Sequence, residues 1–280
     1  MTNRRVFPGM LLLAAVVVLA TSLAGPVAAQ GIDSVFKDFK RTGKYLLAVN
    51  GKAIPAAEIY LNESIPAYMV ITPALASPVL LTPGSNMAVE AVPMAKIVRQ
   101  PDGTVALTAD ADPKPQGQFR VEGEKVVFAA GGRNASLAPN PPLLGARNAP
   151  ALKNHSPEYM VTARNYKPNG QALAALKKQA TPVKVRVFFG SWCPHCKEHL
   201  PFLMRVQDEL GANSKIQFEY YGLPPRFTND PEAKKYNVDG VPLGIVFVNG
   251  KEMGRIRGGN WSAPETALIN ILSGKATAGR

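Results

Sequence analysis

The chain reads as a C-terminal α/β domain with a central mixed sheet, preceded by a β-rich region, and three observations predict this. From about Glu158 onward, apolar runs of strand length alternate with segments of helical spacing. Before that, residues 31–138 carry short apolar runs broken by turn dipeptides. Between the two, residues 137–150 contain Pro139, Pro141, Pro142, Gly145 and Pro150, a composition that favours an extended, semi-rigid linker. The expected organisation is a signal peptide over 1–29, a β-rich domain over 30–137, a Pro-rich linker over 138–157 and the α/β domain over 158–280.

The first segment has the layout of a secretory leader. Arg4 and Arg5 precede an apolar run over 10–23, and Val27-Ala28-Ala29 offers small residues for cleavage after Ala29. The run is short against the roughly 20 residues of a full span. Export, to the periplasm, with no stable membrane insertion after cleavage is therefore expected; an uncleaved N-terminal anchor is the alternative. Outside the cytoplasm disulfides persist, yet the chain has only 2 cysteines among its 280 residues, and they stand three apart. Such a pair serves chemistry rather than long-range crosslinking. The net charge of +12 comes from scattered basic residues with no nucleic-acid motif. It reads as a soluble basic surface, and no nucleic-acid partner is expected.

In the β-rich region, a strand over 45–49 precedes the turn Asn50-Gly51, and further strands are expected over 68–72 and 79–81. Segments 96–99 and 105–108 flank Asp102-Gly103, and 119–121 and 125–128 flank Gly123, both hairpin signals. One short helix is expected over 32–40. The sum predicts a small sandwich or open barrel.

In the α/β region, a helix is expected over 171–178, with Leu173 and Leu176 on one face, and a buried strand over 183–189. A helix over 193–210, a strand over 216–221 and a short helix over 231–236 follow. A hairpin of 244–248 and 253–257 turns at Asn249-Gly250, and a terminal helix spans 264–272.

The chemistry concentrates where the strand over 183–189 enters Gly190-Ser191-Trp192-Cys193-Pro194-His195-Cys196 and the helix begins. A thiolate is the nucleophile in disulfide exchange, so the attacking cysteine needs a lowered pKa. Cys193 stands where free N–H groups and the positive end of the helix dipole converge. The exposed dipole supplies about 0.3–1 kcal/mol, against about 1.4 kcal/mol per pKa unit. His195 is the expected source of further stabilisation. Pro194 suits a first helical turn because it has no N–H to lose. Cys196, one turn on, is expected to be the buried resolving thiol, which attacks the mixed disulfide and frees the client.

This motif resembles the active site of the thioredoxin family, and the likeness extends beyond it. Pro201 stands eight residues after Cys193, Val241-Pro242 precedes the strand and turn through Gly250, and Gly258-Gly259 ends the last strand. The resemblance covers roughly 158–273. It implies a thioredoxin-like fold, a kink at Pro201 and a cis Pro242. It also implies that Val241, Pro242 and Trp192 contact an extended protein client, and that a redox-active Cys193–Cys196 disulfide works without cofactor or metal. Protein thiol or disulfide clients and a separate redox partner are the implied partners. The Pro-His pair, with Val241 before Pro242, is similar to strongly oxidising DsbA-type enzymes and suggests a disulfide donor. The alternative is a reductase or isomerase whose N-terminal domain binds clients or a second protomer.

There are departures. Where thioredoxins carry a buried Asp, six residues before the nucleophile, this chain has Val187. Glu219 on the next strand is one candidate substitute, and a solvated charge is its other reading. There is no room between Leu210 and Tyr236 for the helical insertion of DsbA-type enzymes. Cys193, Cys196, His195 and His199 are compact enough for soft-metal capture, but Pro201 and Pro242 have no role in such a site. A c-type haem would need His where Lys197 stands. His199 is expected on the helix surface, His155 in solvent, and Trp261 in simple packing.

Overall fold

The computed structural model describes residues 36–275, except 85 and 213. The expected signal peptide over 1–29 lies outside the described residues. Among the described residues, no helix is long and apolar enough to cross a membrane.

The N-terminal region is built of several antiparallel sheets. One has the order Lys40–Arg41, Glu58–Asn62, Ala67–Ile71, Val79–Thr82, Ala88–Ala91 and Lys114–Gln118. A second runs Arg120–Glu122, Lys125–Ala130, Arg133–Pro139, Tyr45–Val49 and Lys52–Ala53. Side chains alternate across each strand. Leu47, Phe128 and Leu137 of the second sheet therefore join Ile59, Val70, Val79, Leu81 and Val89 of the first in one buried core. Tyr60, Met69 and Leu80 point the other way, under the hairpin of Ile97–Arg99 and Val105–Leu107. The turn after Tyr45–Val49 has positive φ at both Asn50 and Gly51 (48° and 78°), the geometry that this dipeptide accepts at low cost. The helix expected over 32–40 does not form in its described part. Phe39 instead bridges Val105, and Lys40–Arg41 is a strand.

The C-terminal region contains strands β1 (Gly145–Arg147), β2 (Val183–Phe189), β3 (Ile216–Gly222), β4 (Leu243–Val248) and β5 (Lys251–Ile256). Its helices are α1 (Ala149–His155), α2 (Tyr159–Asn165), α3 (Gly170–Lys177), α4 (Pro194–Leu210), α5 (Pro231–Lys235) and α6 (Pro264–Leu272). The sheet order is β1-β3-β2-β4-β5, mixed because only β2 and β3 run parallel. β2 is central and reads VKVRVFF: Val183, Val185, Val187 and Phe189 are buried on one face, while the other carries Lys184, exposed, and Arg186, partly buried, before Phe188 is buried there too. Val185, Val187 and Phe189 face a core that includes Leu152, Tyr159, Leu176, Leu203 and Leu268 from the helices. Phe188 faces the opposite core with Ala233, Leu243 and Ile245.

The stretch expected to be an extended linker carries regular structure instead. β1 pairs with β3, and α1 follows at once. Asn148 caps α1 by accepting from the Ala151 N–H at 3.0 Å, and Pro150 stands in the first turn. Pro150 therefore starts a helix here.

Candidate active site

Cys193 is the residue before the first turn of α4, with extended backbone (φ −78°, ψ 124°). Pro194 follows as the helical residue with no N–H. Pro201, inside α4 and buried, removes a backbone bond to the preceding turn. Cys193 is 5% exposed, and its Sγ donates to the Val241 carbonyl at 3.5 Å. The Val241–Pro242 bond is cis. Cys196, one turn further, is fully buried, and both cysteines are free thiols.

The Cys196 Sγ accepts from the Gly190 N–H at 3.4 Å. Burial pushes the Cys196 thiol well above its ordinary range; the Gly190 N–H opposes this, and charge on Cys193 adds to it. Gly190 is dictated by its neighbour. A Cβ there would lie 2.5 Å from the indole of Trp192, which donates from Nε1 to the Leu223 carbonyl at 2.8 Å.

No carboxylate faces Cys196 from the sheet. Val187, fully buried, occupies the position six residues before Cys193. Glu219 is in register with Arg186, so it lies on the other face of the sheet from Val187 and Cys196. There it pairs with Lys184 at 2.8 Å and Arg186 at 2.9 Å. Burial disfavours its charge, but the bonds from Lys184 and Arg186 outweigh this and hold its carboxyl below the usual range. Glu219 thus cannot exchange a proton directly with Cys196. Tyr159 is a polar residue that does enter the Cys196 core, and burial first, then the Cys196 charge, push its phenol up.

A groove of about 470 Å³ opens beside the thiols, lined by His195, His199, Val241, Pro242, Arg257 and Trp261, among others. The structure thus gathers His195, Val241 and Pro242 along one groove. Trp192 is half-buried and stands on the other flank, where a smaller cavity is lined by Gly43, Lys44, Asn140, Trp192 and Lys197. His195 is exposed, and among the described residues no hydrogen bond or ion pair holds its ring.

Three expectations need correction. Trp261 does have a partner: buried in the turn after β5, it donates from Nε1 to the Pro242 carbonyl at 2.9 Å and so braces the loop above Cys193. His199 lines the groove, half-buried and edge-on to Phe202. His155 is bonded rather than solvated, with Nε2 2.9 Å from the Pro141 carbonyl and Nδ1 3.0 Å from Ser156 Oγ. Sequence reasoning also passed over Ser191, whose Oγ accepts from the Leu143 N–H at 2.9 Å and ties the active-site loop to the segment before β1.

The N-terminal region abuts this side of the site. The Gly43 N–H donates to Glu158 Oε2 at 2.8 Å, and Asn140 Nδ2 donates to the Gly43 carbonyl at 3.0 Å. Chemically, the arrangement presents one nearly covered sulfur at a helix N-terminus, a second buried behind it, and a backbone carbonyl beside the first.

Comparison with known proteins agrees with this geometry. The Thioredoxin family profile matches residues 166–273. Thioredoxin of Echinococcus granulosus is 35% identical over 92 residues, which cover 33% of this chain and 79% of that protein. Chloroplastic thioredoxin Y of Oryza sativa subsp. japonica is 31% identical over 100 residues, covering 35% of this chain and 52% of the relative. The chain thus spans about half the length of the rice protein. A solved structure of a protein of unknown function from Pseudomonas aeruginosa aligns at 15% identity and TM-score 0.35, over 43% of this chain and 82% of that one, a likeness too slight to carry weight. Through its C-terminal domain, with the two thiols beside a cis-proline loop, the chain belongs to the thioredoxin family.

Proposed function

We propose that this protein is an exported, periplasmic thiol–disulfide oxidoreductase that donates disulfides to protein clients through Cys193 and Cys196. Kinship with thioredoxins supports the exchange chemistry. The observation that carries the reading is Cys193 Sγ at the N-terminus of α4, 3.5 Å from the Val241 carbonyl, with Cys196 buried one turn behind. In the donor direction, a client thiolate attacks Cys193 Sγ of the oxidised protein and the Cys193–Cys196 bond breaks, with Cys196 as leaving thiolate. The client's second thiolate then attacks the client sulfur of the mixed disulfide and expels Cys193. The client loses two electrons and the protein becomes the dithiol, which a separate redox partner reoxidises.

Val241 and Pro242 offer backbone to an extended client segment, and Trp192 forms the opposite edge. No cofactor or metal enters the exchange. The Pro194-His195 dipeptide favours the donor direction, because groups that stabilise the reduced form raise the reduction potential, by 30 mV for about 1.4 kcal/mol. Equilibration with glutathione buffers tests this. A potential well above that of thioredoxin, about −270 mV, is expected; a value at or below it would leave a reductase. A Cys196→Ala variant is expected to accumulate mixed disulfides with clients through Cys193.

A second reading, isomerase action with the N-terminal region as a client platform, is favoured by the packing of Gly43 and Asn140 against the active-site flank. Refolding of a scrambled disulfide substrate separates the two readings, since a pure donor does not reshuffle it.

A further inference from the structure

We propose that His195, Glu198 and His199 form a zinc-binding site at the mouth of the groove, built without either cysteine. The three residues stand at positions i, i+3 and i+4 of α4, so one helical face presents them all. One ligand atom from each lies within 4.8 Å of the others, and Glu198 Oε2 is 3.8 Å from His199 Nε2. Zinc takes imidazole nitrogen and carboxylate oxygen at about 2.0–2.2 Å, which sets tetrahedral ligand atoms roughly 3.3 Å apart. Closing the ligand atoms to that spacing needs side-chain rotations of Glu198, whose side chain is 64% exposed, and of His195, which is also exposed.

The site is partly organised before any ion arrives. The helix backbone fixes the spacing, so no loop has to order. His199 sits edge-on to Phe202 at 5.8 Å, and Phe202 stacks on Tyr166 at 4.3 Å, which holds the imidazole in position. Three protein ligands leave one tetrahedral position open, and the groove supplies room for water or another donor there. The thiols are directed elsewhere, Cys193 to the Val241 carbonyl and Cys196 to the Gly190 N–H. Nδ1 of His199 is buried with no hydrogen-bond partner among the described residues. The ring therefore lacks the outer hydrogen bond that strengthens metal-binding histidines, so binding is weaker than at structural zinc sites. A net charge of +12 gives the protein no general attraction for cations, so stoichiometric uptake requires a defined site.

Occupancy has a consequence that rests on the proposed exchange chemistry: zinc crowds the groove beside Pro242, and so slows client exchange. Binding itself does not rest on it. The test is therefore made on the full chain carrying both Cys193→Ser and Cys196→Ser, which has no thiol. Zinc chloride is titrated at neutral pH by calorimetry, with the histidine ring resonances followed by NMR. One equivalent is expected to bind, shifting the resonances of His195 and His199 and not those of His155. In the same background, His199→Ala and His195→Ala are each expected to weaken binding more than tenfold. Glu198→Gln, an exposed change that leaves the fold intact, is expected to weaken it severalfold. Absence of zinc uptake by the thiol-free protein, or uptake unchanged by all three substitutions, would overturn the proposal. Failure here leaves the exchange reading untouched, because no thiol takes part in the measurement.

Discussion

At the scale of single residues, the position of Cys196 makes two forecasts. Its thiol is pushed up by burial, so at ordinary pH only a small fraction is thiolate, and that fraction rises tenfold per pH unit. Release of a single-thiol client held on Cys193 by attack of Cys196, the reverse of the proposed donation, should accelerate about tenfold per unit between pH 6 and 9. Stopped-flow measurement of release checks this, and a flat profile contradicts it. The same shift bears on stability. An unfolded thiol titrates near 8.5, whereas the folded one stays protonated. Above that pH the unfolded state binds fewer protons, and the reduced protein loses stability as pH rises. Urea melts of the reduced protein at pH 7 and 10 should show the loss, and Cys196→Ala should lack this component. Trp261→Phe removes the donor to the Pro242 carbonyl and should cost about 1–3 kcal/mol in denaturant titrations. The two cysteines, Pro194 and His195 stood out in the sequence as a Cys-x-x-Cys at a strand-to-helix junction, and Pro242 through the family resemblance; the structure places His195 and Pro242 along one groove. Trp261 did not stand out, because its partner is 19 residues away and only the returning strand β5 brings the two together. Glu219 stayed between two readings for a related reason: one step along a strand reverses the face, and a linear reading cannot tell which face holds Cys196.

At the scale of elements, legibility followed the strength of local signals. β2, α4, β3 and α6 stand within a residue or so of their expected bounds, since their apolar periodicity is long and their ends carry Pro or turn residues. β1, α1 and α2 were missed. Prolines around them read as linker, yet Pro150 occupies the one helical turn where the missing N–H costs nothing. Lys114–Gln118 was invisible because KPQGQ is exposed at every position and has no apolar alternation. β1 itself depends on close backbone approach. A Cβ on Gly222 would collide with the Leu143 carbonyl oxygen. Gly222→Val should therefore detach 143–147 from β3 and cost about 1–3 kcal/mol as overpacking. Hydrogen exchange checks this: amides of β1 should lose protection while those of β2 keep it.

For the whole molecule, the described residues over 36–275 lie in one compact unit. Its N-terminal and C-terminal parts share the contacts of Gly43, Asn140 and Glu158, and Arg164 reaches the Asp102 carbonyl at 3.5 Å. One calorimetric unfolding transition is expected for the reduced protein, and two separated transitions would contradict it. This level was the least legible. Tyr45–Val49 pairs with Arg133–Pro139, and β3 takes β1 as its edge. Such pairings join distant segments through burial, and no local motif encodes them.

The bond from Leu143 N–H to Ser191 Oγ has a steric corollary. It moors the Trp192 side of the reactive sulfur to a wall of the same polypeptide, with Gly43, Lys44 and Asn140 in that wall. On the other side the groove past His195 and Pro242 stays open. On the exchange chemistry proposed above, that one-sided doorway suits a slack, extended segment better than a bulky folded domain.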